Sequence, residues 1–291
     1  MVRVSSTLSV AIACMAVALS AGGQQRPAAN RQVVVSAAVS LTEVLQQLAP
    51  VYQQKTGDQV VLNLGASNTL ARQIRFSAGV DLFISADEAQ MDAVATQIDR
   101  ATRIDLLSNQ LAIAVPDDRP RTMKSARELL DPAIRRIAIG DPAGVPAGVY
   151  AKQYLQSIGI WPDLAMKIVP SGSVRLALAA IESGAADAAI VYHTDVAMAA
   201  HARESLLIPA GQGPRIVYPA ALVRAGHNPE GARRFLAFLQ TPEAAAVFTH
   251  AGFVAAANPK SPIPKPKSQV FIRDFELSSL GLGIWDSGFG I

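Results

Sequence analysis

One construction recurs in the pattern of apolar and polar positions along the chain. An apolar run at 33–35 breaks at Ser36-Ala37-Ala38, after which Leu41, Val44, Leu45, Leu48, Val51 and Tyr52 recur at helical spacing. The run reads as a buried parallel strand and the spaced set as an amphipathic helix. Ser40 and Glu43 fit a capping box, with Ser40 as N-cap and Glu43 at N3. Pro50 falls inside this helix and should kink it or leave the Gln46 carbonyl unpaired. Gly57 ends the helix, and 59–62 predicts a second strand. Small polar residues, Gly65-Ala66-Ser67-Asn68-Thr69, then lead to a helix carrying Leu70, Ile74 and Phe76. Residues 80–85 predict a third strand, followed by a second capping box in which Asp87 is the cap rather than a catalytic acid.

The second half repeats the pattern. A strand at 111–115 ends at Pro116-Asp117-Asp118 and reads as the crossing into a second lobe. A helix at 124–130 stops at Asp131-Pro132. A strand at 136–139 runs into a Gly- and Pro-rich loop ending at Pro146-Ala147-Gly148, which opens a helix at 149–158. Gly148, near that start, would let the backbone approach a ligand closely. A strand at 166–169 leads through Ser173 to a helix at 174–183, and a further strand at 188–192 ends at Tyr192. Strands near 206–208 and 215–223 follow, with 216–219 as the return crossing. Asn228-Pro229 and Thr241-Pro242 each mark a capped helix with proline in its first turn. Strand–helix alternation throughout predicts an α/β fold. The two crossings predict two lobes joined by hinge strands around a cleft, with 33–113 and 219–256 in lobe 1 and 114–218 in lobe 2.

Composition adds boundaries at both ends. The 291 residues are half hydrophobic, ample for a large core or for two smaller ones. Net charge is +3 with acids and bases interspersed, which leaves no nucleic-acid footprint. Arg3, an uncharged apolar stretch at 8–19 and Ser20-Ala21-Gly22-Gly23 read as a secretory signal peptide over 1–22, too short for a membrane span. The only cysteine, Cys14, lies inside it, so the mature chain would carry no disulfide. Residues 23–32 read as a polar linker. At the other end, 258–267 holds four prolines and three lysines, and 257–291 reads as a disordered tail.

Five places stand out chemically: Ser40, Ser67, Ala147, the Ser173-Val174 turn and Tyr192. Four lie at predicted helix starts, where free N–H groups and the positive dipole end suit an anion. The fifth is a phenol at a strand end. All are neutral donors, and Arg175 is the one base near them. Donors without an opposing acceptor select a fully deprotonated oxyanion.

The segments SAAVSLTE (36–43), GASNTLARQI (65–74), VDLFISAD (80–87), GDPAGVPAGVYAK (140–152), VRLALAAIE (174–182) and IVY (190–192), in this order, resemble the bacterial periplasmic molybdate-binding protein of the molybdate ABC transporter. The similarity runs from about Val33 to Phe253. It implies a two-lobe, type II periplasmic binding protein fold that closes on one molybdate or tungstate. It also implies a monomer with no cofactor, working in the periplasm beside a membrane permease. Its ligand positions map onto Ser40 and Ser67 (hydroxyl and N–H), Ala147 and Val174 (N–H) and Tyr192 (hydroxyl). Asn68 stands where many members have a further serine, Pro170-Ser171-Gly172-Ser173 replaces a more acidic run, and the tail has no counterpart. On this reading Ser67→Ala is a cleaner binding probe than Ser40→Ala, because Ser40 also caps its helix.

Two alternatives stay open on the residues alone. One is the same fold binding sulfate or phosphate, although phosphate favours an acidic acceptor and none lies at the five turns. The other is a hydrolase with Ser40 or Ser67, His193 and Asp195 as a triad, although no serine sits in a GxSxG elbow. His193, His201, His227 and His250 lack the spacing of a metal site. The expectation is therefore a binding protein rather than an enzyme.

Overall fold

The structure, a computed structural model, describes residues 32–76 and 79–255. The expected signal peptide, residues 23–31 of the linker and the tail lie outside the described residues. Among the described residues no helix is long and apolar enough to cross a membrane.

In chain order the elements are β1 (Gln32–Ala38), α1 (Thr42–Thr56), β2 (Gln59–Gly65), α2 (Ser67–Phe76), β3 (Leu82–Ile84), α3 (Glu88–Asp92), β4 (Ile104–Ser108) and β5 (Leu111–Pro116). Then come β6 (Ile137–Gly140), α4 (Pro146–Ser157), α5 (Trp161–Leu164), β7 (Ile168–Ser171), α6 (Val174–Glu182), β8 (Ala188–Tyr192) and α7 (His193–Ala197). The last are β9 (Ala202–Leu207), β10 (Val217–Leu222), α8 (Pro229–Phe238), α9 (Pro242–His250) and β11 (Val254–Ala255).

The strands form two mixed sheets, ordered β11-β4-β10-β3-β1-β2 and β7-β6-β8-β5-β9. β1 is parallel to β2 and β3, while β10 runs antiparallel to β3 and β4. In the second sheet β6 is parallel to β7 and β8, and β5 runs antiparallel to β8 and β9. The βα units thus sit on parallel strands, and the antiparallel strands are those next to the crossings, where the chain reverses direction. This is the two-lobe α/β architecture expected from the sequence, each lobe built on one sheet.

The crossings fall slightly off the expected positions. Leu111 already pairs with Tyr192 in the second sheet, so the outward crossing is Asn109-Gln110 rather than a point near 113. Val217 and Tyr218 pair with Ser108 and Leu107 in the first sheet, so the return is complete before residue 218. Each hinge strand belongs to one sheet; the outward bend falls in Asn109-Gln110 and the return in the longer Gly- and Pro-bearing stretch 208–216.

The core follows the apolar pattern. One cluster runs from Val33, Leu45 and Leu48 under α1 to Ile139, Leu155 and Ile190 in the second lobe. A smaller one, with Leu70, Ile74, Phe83 and Met91, lies under α2 and α3. A line of rings crosses the hinge: Tyr192 to Tyr218, Tyr218 to Phe253 and Phe253 to Phe248, with centroids 5.8, 5.7 and 6.1 Å apart. Buried Asp81 ties α8 to the first sheet by accepting the N–H groups of Val34 at 2.8 Å and Asn228 at 2.7 Å.

At Pro50 the second of the two expected outcomes holds: α1 runs unbroken through it, and the freed Gln46 carbonyl faces solvent, where water can take it. Several other local expectations need correction. The helix expected at 124–130 is a short 3-10 helix, Ala126–Leu130, held by an unanticipated capping box between Ser125 and Glu128. α4 begins three residues early, since Pro146 supplies its first turn with a fixed φ and no orphan N–H. β4 and α7 were not anticipated at all. Gly57, in the left-handed region at φ 74°, ends α1 as expected.

Candidate functional site

β1, β2, β6 and β7 each end in a helix start, and these four starts meet the end of β8 across one cleft. Ser40, Ser67, Ala147, Val174 and Tyr192 all line it, the first two from the first lobe and the others from the second. The cleft holds about 220 Å³ of empty space including its open mouth. Small or apolar residues such as Gly65, Ala66, Ala86 and Val145 complete the wall, and no charged side chain is among the lining residues.

Ser40 does not cap α1. A single 3-10 turn, Val39–Leu41, stands between β1 and α1, and the N-cap is Leu41 with no side-chain bond. The expected box fails because Ser40 lies inside that turn rather than at the helix boundary. Thr42 secures the turn by donating its hydroxyl to the Val39 carbonyl at 2.6 Å. The Ser40 hydroxyl, buried, lies 3.0 Å from the Tyr218 hydroxyl. Ser67 opens α2, whose first turn closes on the Ala66 carbonyl. Its oxygen accepts the Ala86 N–H at 2.9 Å, which leaves its own proton free to donate into the cleft. Removing the Ser67 hydroxyl therefore orphans a buried N–H, so Ser67→Ala is not the clean binding probe expected.

Ala147 is the second residue of α4, and Val145 ahead of it supplies no side-chain cap. An N–H at that position has no acceptor within the helix. Gly148 serves a different role from the expected one. A Cβ there would lie 1.8 Å from the Gly140 carbonyl oxygen, so glycine lets α4 press against β6 rather than against a ligand. In α6, Ser173 is the N-cap and takes the Leu176 N–H, leaving the Val174 N–H at the first position unclaimed.

Tyr192 is buried, and its hydroxyl has no hydrogen-bond partner among the described residues. Burial pushes this phenol well above its ordinary range, and burial likewise raises Tyr218. Both are therefore protonated donors at neutral pH. An orphaned buried hydroxyl beside unclaimed N–H groups fits an occupant that only accepts hydrogen bonds.

Arg175, one residue beyond Val174, does not face the cleft. It pairs with Glu43 of α1 at 2.5 Å and with Asp195 of α7 at 2.7 Å, joining the two lobes. Asp195 is fully buried, which raises its pKa to about 6 against the opposing pull of Arg175. With its charge engaged by two carboxylates, Arg175 adds little at the cleft, where N–H groups and helix dipoles supply the attraction. Asp87 caps α3 as expected, accepting the Gln90 N–H at 2.9 Å, and burial raises its pKa.

The triad residues are not brought together. His193 pairs through Nδ1 with Glu204 at 2.6 Å, Asp195 faces Arg175, and the two serines are engaged as described. Among the described residues no group of three or more His, Cys, Asp or Glu could hold a metal ion. Sequence reasoning missed Tyr218 and Asn109, the latter donating to Thr194 Oγ1 at 2.9 Å and to the Tyr218 hydroxyl at 3.3 Å. Both lie beside the crossings: Asn109 is a polar residue between β4 and β5, and Tyr218 sits inside β10 with no signal to mark it.

Residues 33–254 match the family described as bacterial extracellular solute-binding protein. The chain is 38% identical over 230 residues to the molybdate-binding protein ModA of Escherichia coli, covering 76% of this chain and 88% of the relative. It is 32% identical over 240 residues to the molybdate-binding protein ModA of Haemophilus influenzae, with 78% and 92% covered. The solved periplasmic molybdate-binding protein of Azotobacter vinelandii superposes with a TM-score of 0.69 at 26% identity, covering 76% of this chain and 98% of that one.

Proposed function

The chain belongs to the bacterial extracellular solute-binding protein family, and from that premise we propose that it binds molybdate in the periplasm and delivers it to the membrane permease of an ABC transporter. Tungstate, a tetrahedral dianion of nearly the same size, is the second ligand on this reading. The observation that carries the reading is the cleft itself: neutral donors from two lobes, with no charged residue and no acidic acceptor among the lining residues. A dianion accepts from every side and donates to none, so each donor finds a lone pair. The oxyanion is held through its oxygens by Ser40, Ser67, Ala147, Val174 and Tyr192, with no direct ligand to the metal atom. Because the donors come from both lobes, the ion binds the closed form better and shifts the population toward it. The role is binding and transfer without catalysis, and the working unit is a monomer.

Calorimetric titration of the purified protein with molybdate, tungstate and sulfate tests this reading. One tight site for molybdate and tungstate is expected, with sulfate much weaker. Sulfate carries the same charge but is smaller, so donors spaced for the larger ion are left with long, weak bonds. Equal affinity for sulfate and molybdate would remove the proposed specificity.

A further inference from the structure

From Ser40 a chain of buried polar groups runs away from the cleft through residues that do not line it. Ser40, Asn109, Thr194 and Tyr218 are all nearly inaccessible to solvent. The direction of this chain can be read from its fixed points. Asn109 Oδ1 accepts the Gln110 N–H at 2.8 Å, which orients the amide and leaves Nδ2 facing the other way. That NH₂ group, a donor only, gives one proton toward Thr194 and the other toward the Tyr218 oxygen. Tyr218, already accepting, has its own proton to give, and its neighbour 3.0 Å away is Ser40 Oγ. Burial keeps that phenol protonated, so the relay does not lose its donor at neutral pH.

Resting on the molybdate reading, we propose that Tyr218 and Asn109 are positioning residues that turn the Ser40 hydroxyl proton into the cleft. A serine oxygen that accepts from Tyr218 has its hydrogen directed elsewhere, and the open direction is the ligand. Without the Tyr218 donor nothing fixes the rotation of the Ser40 hydroxyl, and its proton is no longer held toward the anion. The relay also spans the hinge. Asn109 occupies the outward crossing, Tyr218 follows the return crossing, and Thr194 sits on α7 of the second lobe. Thr194 takes the other Nδ2 proton and so ties the relay to the second lobe.

The test is a double-mutant cycle in the full chain, with affinity for sodium molybdate read by calorimetry and folding read by thermal melting. Tyr218→Phe should weaken binding about threefold to tenfold, the share of a charge-assisted hydrogen bond lost when its donor is misaimed. In a Ser40→Ala background the same change should have no further effect. A loss of purely structural origin would persist in that background, so equal losses in both, or no loss in either, overturns the relay. If Tyr218→Phe melts early, Asn109→Asp serves instead. Its acceptor-only side chain draws the Tyr218 proton, so Ser40 must donate to Tyr218 and turn from the cleft. It should weaken binding more in the parent than in the Ser40→Ala background, where only repulsion between the new carboxylate and the anion remains; equal weakening in both backgrounds overturns the proposal. A parent that binds molybdate but shows additive losses removes the relay alone, whereas a parent that binds no molybdate, tungstate or sulfate removes both the relay and the reading it rests on.

Discussion

Removing the Tyr192 hydroxyl should move affinity and stability in opposite directions. In Tyr192→Phe the ring stays where it is, with its centroid 5.8 Å from that of Tyr218, and only the oxygen is lost. That oxygen is buried and has no hydrogen-bond partner among the described residues. A buried unsatisfied group costs about 1–3 kcal/mol, so the ligand-free variant should be as stable as the parent or up to about 2 kcal/mol more stable. The same hydroxyl donates to a dianion in the bound state, where a hydrogen bond to a charged group contributes about 1.5–3 kcal/mol. Affinity for molybdate should therefore fall about tenfold to a hundredfold. Urea unfolding without ligand gives the first quantity, and calorimetry with molybdate gives the second. The rise in melting temperature on adding molybdate should shrink in the variant, because ligand stabilisation follows the ratio of concentration to Kd. Undiminished affinity would remove Tyr192 from the site. A large loss of stability would show that the hydroxyl has a partner in the ligand-free protein.

Three further changes test other parts of the account. Ser67→Ala should cost both affinity, by about 1.5–3 kcal/mol, and stability, by about 1–3 kcal/mol, because the Ala86 N–H loses its acceptor; calorimetry and urea unfolding read the two losses separately, and loss of neither would show that the hydroxyl is idle. Asp195 has a folded pKa of about 6 against 3.8 for an ordinary aspartate, so the folded state binds the extra proton and this group's contribution is lost as pH rises through about 4 to 6. The shift of about two units corresponds to about 3 kcal/mol, so the stability of the parent relative to Asp195→Asn should grow by up to that amount between pH 7.5 and pH 4; a difference that stays flat with pH would contradict the assignment. Gly148→Ala forces a Cβ to within 1.8 Å of the Gly140 carbonyl oxygen and should destabilise the protein by about 3 kcal/mol or more, seen as a lower urea midpoint; an unchanged midpoint would show that the α4–β6 contact yields easily.

The elements that carry the site were legible because each rests on local chemistry. An apolar run followed by small polar residues and a helical stripe specified β1, β2 and their helices, and proline after Asn228 and Thr241 specified the starts of α8 and α9. What the sequence hid depends on a register or on a partner far along the chain. Ser40 and Glu43 have the spacing of a capping box, yet an inserted 3-10 turn sends one to Tyr218 and the other to Arg175, 178 and 132 residues away. Gly148 looks like a ligand-facing glycine until β6 is placed against it. Tyr218 and Asn109 acquire their role only when the two crossings lie side by side, and no periodicity marks a crossing. β4 was missed because its run, Ile-Asp-Leu-Leu-Ser, lies among polar neighbours and owes its place to pairing with β10 and β11.

The central claim is that one tetrahedral oxyanion sits where four helix starts and a strand end converge. Diffraction from crystals grown with molybdate, recorded across the molybdenum absorption edge, locates the metal atom directly. The account predicts one anomalous peak inside the cleft, with oxygens facing the hydroxyls of Ser40, Ser67 and Tyr192 and the N–H groups of Ala147 and Val174. A peak elsewhere on the protein, or an ion in the cleft that leaves the Tyr192 hydroxyl without a partner, would contradict it.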